Sequence, residues 1–244
     1  MAETEKYGLL FAMLEPPGEM EEEFNDWYDT DHIPERKAIP GFITAQRFVA
    51  YEDSPKYLAL YDLQNVEVLH SEAYMRVSPG HYSPWTQRIN RHARIFKRYV
   101  YVQTSPGKSL ISKEVNALLV WMNDIPEGKD EEFSQWYDKE CISYLKELEG
   151  FIQARRFHCV DGEAKDLALI EFRDLEFLKN EVYRGVLLSD KAIKTRKYFQ
   201  EAMNKIYKRY ISSEASPQTD ELIGNTFRYC YGSWLKAQGL RKIL

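Results

Sequence analysis

His32 is the residue of this chain best suited to moving protons, because an imidazole near its ordinary pKa of about 6.5 takes and returns a proton at cellular pH. It lies in the stretch EEFNDWYDTDHIPERKAIPGF, residues 22 to 42. Read at helical spacing, Phe24, Trp27, Tyr28, Asp31 and His32 fall at i, i+3, i+4, i+7 and i+8, which is one continuous face. A polar group on an apolar stripe loses water, so it must find a partner or face a cavity. Asp31 and His32 are therefore expected at the mouth of a pocket, with Trp27 in its wall. Asp29, three residues before His32, is placed to orient the ring and favour its protonated form. Tyr28, four residues before, is placed to donate a hydrogen bond to a developing enolate or phenolate oxygen.

A second acid or base candidate is His81, in SPGHYSPWT, a Pro/Gly-broken loop that also carries Tyr82 and Trp85. Such loops often cap sites. Arg47 shares a strand face with Ile43, Ala45 and Val49, where its charge wants a carboxylate, from an acidic substrate or from the fold itself. Thr44 and Gln46 share the opposite face with Phe42 and Phe48, polar groups among aromatics as in many pocket linings. His70, His92 and His158 lack such settings.

The elements that must position these residues occur twice. EEFNDWYDTDHIPERKAIPGFITAQRF (22 to 48) aligns without a gap to EEFSQWYDKECISYLKELEGFIQARRF (131 to 157), every pair 109 positions apart. Phe24 meets Phe133, Trp27 meets Trp136, Tyr28 meets Tyr137, Asp29 meets Asp138 and Arg47 meets Arg156. The match returns as IFKRY (95 to 99) against IYKRY (206 to 210), now 111 apart. Recurrence favours a packing role for Trp27 and Tyr28 and a structural ion pair for Arg47; for Asp29 it leaves the alternatives of bracing a loop or pairing with Arg47 or Arg36. His32 is different: its counterpart is Cys141, so one copy would carry chemistry and the other scaffold.

Each copy reads strand, helix, two strands, helices, strand. Tyr7 to Leu14 is an apolar run stopped by EPPG, a helix follows from Met20 to Ile33, and Pro34 ends or kinks it. Phe42 to Tyr51 and Tyr57 to Leu63 form a hairpin around EDSP, helices follow from Val66, and HARIFKRYVYVQ makes the last strand. The order βαββαβ is the ferredoxin-like motif, an antiparallel sheet with helices on one face. Two such repeats in one chain can cover each other's open sheet faces. The expected fold is α+β: two tandem ferredoxin-like repeats forming an intramolecular barrel. Residues 1–106 make the first repeat with the site, 107–114 a linker, 115–211 the second, degenerate repeat, and 212–244 a C-terminal extension with a helix expected from Asp220.

At this point FNDWYDTDHIP, the following PGF and the strand TAQRF resemble the EthD-like branch of the dimeric α+β barrel superfamily, and SPWTQRI (83 to 89) looks like a stretch that recurs there. The resemblance covers residues 7 to 103 and 115 to 211. It implies a barrel with a small-molecule pocket; relatives include cofactor-free monooxygenases, isomerases, a polyketide cyclase, fungal dehydratases or decarboxylases, and haem enzymes. The expected function is a cofactor-independent, lyase-type enzyme acting on an aromatic or polyketide-like substrate, with lyase chemistry placed first by the fungal relatives. A cofactor-free monooxygenase is the alternative, and a non-catalytic small-molecule or haem-binding protein the third reading. No cofactor is expected, though haem stays open because a lone His can be an axial ligand.

Composition excludes other classes. Net charge is −5 with basic and acidic residues interspersed, unlike a nucleic-acid footprint. No window approaches the roughly 18 apolar residues of a membrane span, and the start lacks a basic segment before an apolar run. A soluble, cytoplasmic monomer or homodimer is expected. Cys141, Cys159 and Cys230 are odd in number and widely spaced, which suggests free thiols. HExxH, a phosphate loop, GxSxG and GxGxxG are all missing, and the five His are too scattered to define a metal site.

Overall fold

The computed structural model describes residues 6–52, 54–163, 166–180, 183 and 200–211. Cys230 and the expected extension, 212–244, lie outside them, as does most of the 181–199 segment. The chain divides into Met1–Tyr210 and Ile211–Leu244, and the first unit is the barrel.

Eight antiparallel strands close the barrel: β1 (Gly8–Glu15), β2 (Gln46–Ala50), β3 (Tyr57–Leu63), β4 (Ile95–Ser105), β5 (Ala117–Asp124), β6 (Phe151–Asp161), β7 (Asp166–Phe172) and β8 (Gln200–Arg209). Around the barrel they run β1-β3-β2-β8-β5-β7-β6-β4. The order 4-1-3-2 in the first half thus recurs as 8-5-7-6 in the second, joined where β2 pairs β8 and β4 pairs β6. Closure leaves no free sheet edge. The first strand is apolar from Gly8 to Leu14 because both its faces are buried there. Leu9, Phe11 and Met13 point into the barrel with Phe48, Leu58, Tyr101, Val120 and Tyr207, while Leu10, Ala12 and Leu14 lie under the helices.

The helix after β1 differs from the sequence expectation. It runs as α1 (Glu21–Trp27), a π turn (Tyr28–His32) and α2 (Ile33–Lys37), so Pro34 does not end it. Proline is tolerated in the first turn of α2, where a missing N–H costs least. The π turn recurs at Tyr137–Cys141, between α5 (Asp130–Trp136) and α6 (Ile142–Leu145), where Ser143 replaces proline. Proline therefore does not cause it. After β3 come a 3₁₀ turn at Val66–His70, α3 (Glu72–Met75) and α4 (Pro84–His92), whose caps Ser71 and Ser83 accept from the N–H groups of Tyr74 and Thr86.

Two other expectations shift. The second strand begins at Gln46 rather than Phe42, which makes a single bridge to Leu63. The IFKRY and IYKRY match is out of structural register. Tyr101 lies opposite Leu9 and Tyr207 opposite Leu118, an offset of 106 (207 − 101) rather than 111. A five-residue slip is odd, so it exchanges the two faces of the strand: Phe96 lies outside the barrel and Tyr207 inside.

Residues 107–114, expected as a linker, are instead built into the barrel. The Ile111 N–H donates to Asp62 Oδ2 at 2.7 Å and the Ser112 N–H to Glu171 Oε2 at 2.9 Å, with Ile111 packed in the interior cluster. No helix among the described residues is long and apolar enough to cross a membrane.

Candidate functional site

The cleft lies on the outer face of the first-half sheet, under α1, the π turn, α2, α3 and α4. Its floor is Leu10, Ala12 and Leu14 from β1. Trp27, Tyr28, His32 and Arg36 line it from the helix, Tyr61 from β3, Tyr74 from α3, Tyr82 from the loop before α4, and Phe96 and Arg98 from β4. Its volume is about 40 Å³, room for a few waters, and it is open on one side. Tyr82 and Phe96 there are partly exposed, the latter at 48%.

The π turn decides which residues face this space. It inserts one residue into the helical repeat, so the lining positions run 27, 28, 32 and 36 instead of continuing through 31 and 35. His32 turns inward, its ring centre 4.3 Å from that of Trp27 and 5.3 Å from that of Tyr28. Asp31 is carried off the lining, and its Oδ2 is buried without a hydrogen-bond partner. Trp27 is itself fixed by its Nε1–H, which donates to Thr86 Oγ1 at 3.0 Å.

The His32 Nδ1 is buried and unpartnered. Burial first, then the positive charges of Arg36 and Arg47, hold its pKa well below the ordinary value. The ring is therefore a neutral base, which corrects the expectation that Asp29 favours its protonated form. Asp29 is turned away to Arg47, whose Nη1–H donates to its Oδ1 at 2.8 Å. Tyr28 is pushed up to about 12 by burial against the opposing pull of Arg47, so it stays a phenol and a donor.

Arg47 does not reach the cleft. Its Nη2–H donates to Asn25 Oδ1 at 2.6 Å, and its guanidinium sits 4.3 Å from the Tyr28 ring centre and 4.0 Å from that of Tyr210. Arg156 uses the corresponding helix position, donating to Ser134 Oγ at 2.6 Å, and also reaches Asp166 at 3.1 Å. Both arginines tie a helix to the sheet.

Three other expected lining residues are on the wrong side of the sheet. Phe48 is in the barrel interior. The Gln46 Nε2–H donates to Ser112 O at 3.1 Å, and the Thr44 Oγ–H to Asp62 Oδ2 at 2.9 Å. The alternation along this segment is as expected, but the cleft lies on the Arg47 side. His81 is exposed and does not line the cleft, and Trp85 is half-buried against the helix-side core. Of the expected residues, Trp27, Tyr28, His32 and Tyr82 converge on one cavity.

Sequence reasoning missed Arg36, Tyr61, Tyr74, Asn90, Phe96 and Arg98. Arg36 carried a signal, standing four residues after His32; the strand residues carried none until the register was known. Arg36 is 3% exposed, its Nη2–H donates to Val77 O at 2.9 Å, and its Nη1 lies 3.3 Å from Glu35 Oε2 without hydrogen-bond alignment. Arg98 donates through Nη1 to Asp161 Oδ2 at 2.8 Å.

The positions 109 further on hold Trp121, Cys141, Leu145 and Ile170 where the cleft has Ala12, His32, Arg36 and Tyr61. Leu145 and Ile170 are wholly buried, and the Trp121 Nε1–H donates to Asn204 Oδ1 at 2.9 Å. That surface carries neither the imidazole nor the guanidinium of the first. Neither Cys141 nor Cys159 is in a disulfide, and among the described residues no cluster of three His, Cys, Asp or Glu could hold a metal ion. The haem left open by the sequence does not fit this cavity, which is far smaller than the macrocycle and has Trp27 packed against the imidazole.

The closed eight-stranded antiparallel barrel with helices outside it is an α+β fold, consistent with that of dimeric α+β barrel proteins. Among solved structures it is similar to an anthrone oxidase-like protein (TM-score 0.60, 10% identity, covering 89% of this chain and 98% of that one). It is also similar to a monooxygenase-like protein from Lactobacillus acidophilus NCFM (0.53, 11%, 84% and 94%). A chlorite dismutase from Candidatus Nitrospira defluvii, an R173A mutant, is a third (0.55, 11%, 86% and 93%). At such identities the likeness is one of fold. No family model matches the sequence, and no curated protein does.

Proposed function

We propose that this protein is a cofactor-independent enzyme that starts its reaction by moving a proton from a small aromatic or polyketide-like substrate to His32. The observation that carries this is the buried, unpartnered Nδ1 of a neutral imidazole in the wall of an aromatic cleft. A neutral imidazole is in the protonation state a base needs, and neighbouring guanidinium groups favour the anion that proton removal creates. Tyr28, still a phenol, is placed to donate to that anion. The small cavity is open on one side, so it takes a polar substituent and the edge of its ring, with the rest of the substrate outside. We read the chain further as a tandem duplication of the ferredoxin-like repeat within the EthD-like branch; the π turns at Tyr28–His32 and Tyr137–Cys141, 109 positions apart, support this.

A lyase-type course would then break a C–O bond, with His32 returning its proton to the leaving hydroxide as water, or would lose carbon dioxide from an ionised carboxyl, with His32 returning the proton to the carbanion left behind. The second course is that of a cofactor-free monooxygenase, in which the substrate carbanion gives electrons to O₂, and the names of the anthrone oxidase-like and monooxygenase-like neighbours favour it. Oxygen uptake during turnover separates the two. His32→Ala is expected to lower turnover at least about a hundredfold, the usual weight of a positioned base, with the fold kept by circular dichroism. Turnover that survived the change would remove His32 from the reaction.

A further inference from the structure

Arg36 leaves a donor unused where a ligand would touch it. Its side chain is buried, and its Nη2–H donates to Val77 O at 2.9 Å. Its Nη1 is buried without a hydrogen-bond partner. A buried charge in that condition is costly unless an anion completes it. A further orphan lines the same cavity, His32 Nδ1. The polar deficit of the cleft is thus concentrated where a ligand's oxygen would lie, while its remaining walls are aromatic and aliphatic.

We propose that the cleft binds a ring bearing one ionised oxygen, a phenolate, enolate or ring carboxylate, and that Arg36 is the residue that recognises it. The inference rests on the reading of the cleft as a substrate site and adds the charge of what it takes. The charged and titratable groups around that oxygen are Tyr28 and His32 from the π turn, Glu35 and Arg36 from α2, Tyr61 from β3, Tyr74 from α3, Tyr82 from its loop, and Arg98 from β4 with Asp161 behind it. Among the described residues the acid paired with Arg36 is Glu35, and its contact is misaligned. Its carboxyl is held above the usual range by burial and by Asp31, against the pull of Arg36, which weakens it as a competitor for the guanidinium. Arg47, the arginine that the sequence offers for an acidic substrate, has its fork occupied by Asp29 and Asn25. At the position matching Arg36, Leu145 is buried in the second half, so the donor belongs to one half only.

The test uses the full chain and 4-nitrophenol, a single ring whose hydroxyl titrates near neutral pH and whose anion absorbs visibly. Titrating the bound probe spectroscopically gives its pKa in the cleft. The expected result is a drop of about one unit, a tenfold preference for the anion. Arg36→Met should remove the drop and Arg36→Lys should keep part of it, while Arg98→Gln leaves most of it. An unchanged or raised pKa in the wild type overturns the inference without any variant having to fold, and so does a drop that vanishes in Arg98→Gln but persists in Arg36→Met. 4-Nitroanisole, the same ring with no ionisable oxygen, separates the two levels of the argument. If both probes bind equally, the anion reading falls and the aromatic substrate site stands. If neither binds, the anion reading falls together with the site.

Discussion

Protonating His32 in the folded chain would add a positive charge beside Arg36 and Arg47 in a space that has lost most of its water. The native state therefore holds the ring neutral below the pH at which an unfolded chain would protonate it. Between those two pKa values the unfolded state binds a proton that the native state refuses, so stability falls as pH falls through about 6.5, by up to about 1.4 kcal/mol per pH unit. The loss stops once the native pKa is reached. Urea unfolding at one pH above and one below about 6.5 should show it, and His32→Gln, which cannot titrate, should flatten the difference. An identical slope in the variant would mean that the imidazole is already charged in the native protein. The same energetics bear on function. A base held down by burial and by two nearby guanidinium charges is weak alone, and it gains strength when a substrate anion lies beside it against Arg36, so proton transfer and anion recognition become one event.

At the scale of elements, the helix was legible and its phase was not. Phe24, Trp27 and Tyr28 announce the buried face, and all three are buried. The π turn leaves no trace in a hydrophobic pattern, because one inserted residue looks the same as ordinary spacing until the next turn is seen packed. Ordinary helical spacing therefore puts Asp31 beside His32 and carries the stripe away from Arg36. The strand after it failed for a related reason. Alternation assigns Arg47 and Phe48 to opposite faces but cannot say which face meets helices, since both faces of a closed barrel's strands are buried. The tie between these elements is the Asp29–Arg47–Asn25 group, and it makes a separate prediction. Asp29→Asn keeps the shape but removes the charge opposite a buried guanidinium. Because Asp29 is 32% exposed and partly screened, a loss of about 1–2 kcal/mol in unfolding free energy is expected. Turnover per folded molecule should change only a few-fold. A collapse of turnover with stability intact would instead return Asp29 to the chemistry.

At the scale of the whole barrel, the two halves are locked by one buried charge network. Arg155, wholly buried, donates through Nη1 to Asp62 Oδ1 at 2.6 Å and through Nε to Glu171 Oε1 at 2.8 Å, so one cation from the second half holds a carboxylate from each half. The 107–114 segment closes over it. Gln103 and Gln153 bond the backbone of Ser109 and Leu110, and Asp62 and Glu171 take the N–H groups of Ile111 and Ser112. A Pro/Gly/Ser-rich stretch reads as a flexible connector because composition reports what the chain can do in water, and here the backbone finds partners that no local pattern reveals. Removing the cation leaves two buried carboxylates facing each other, so Arg155→Ala should cost about 3–5 kcal/mol. The amide hydrogens of Ile111 and Ser112 should then exchange faster than those of the central strands. Combining Arg155→Met with Asp62→Asn and Glu171→Gln removes every charge while keeping acceptors for both amides, and should recover most of the stability. Recovery would mean that the network sets which surfaces meet rather than how tightly. Continued instability would mean that the charges themselves hold the halves together, and an Arg155→Ala protein as stable as the parent would show that the apolar interior closes the barrel without them.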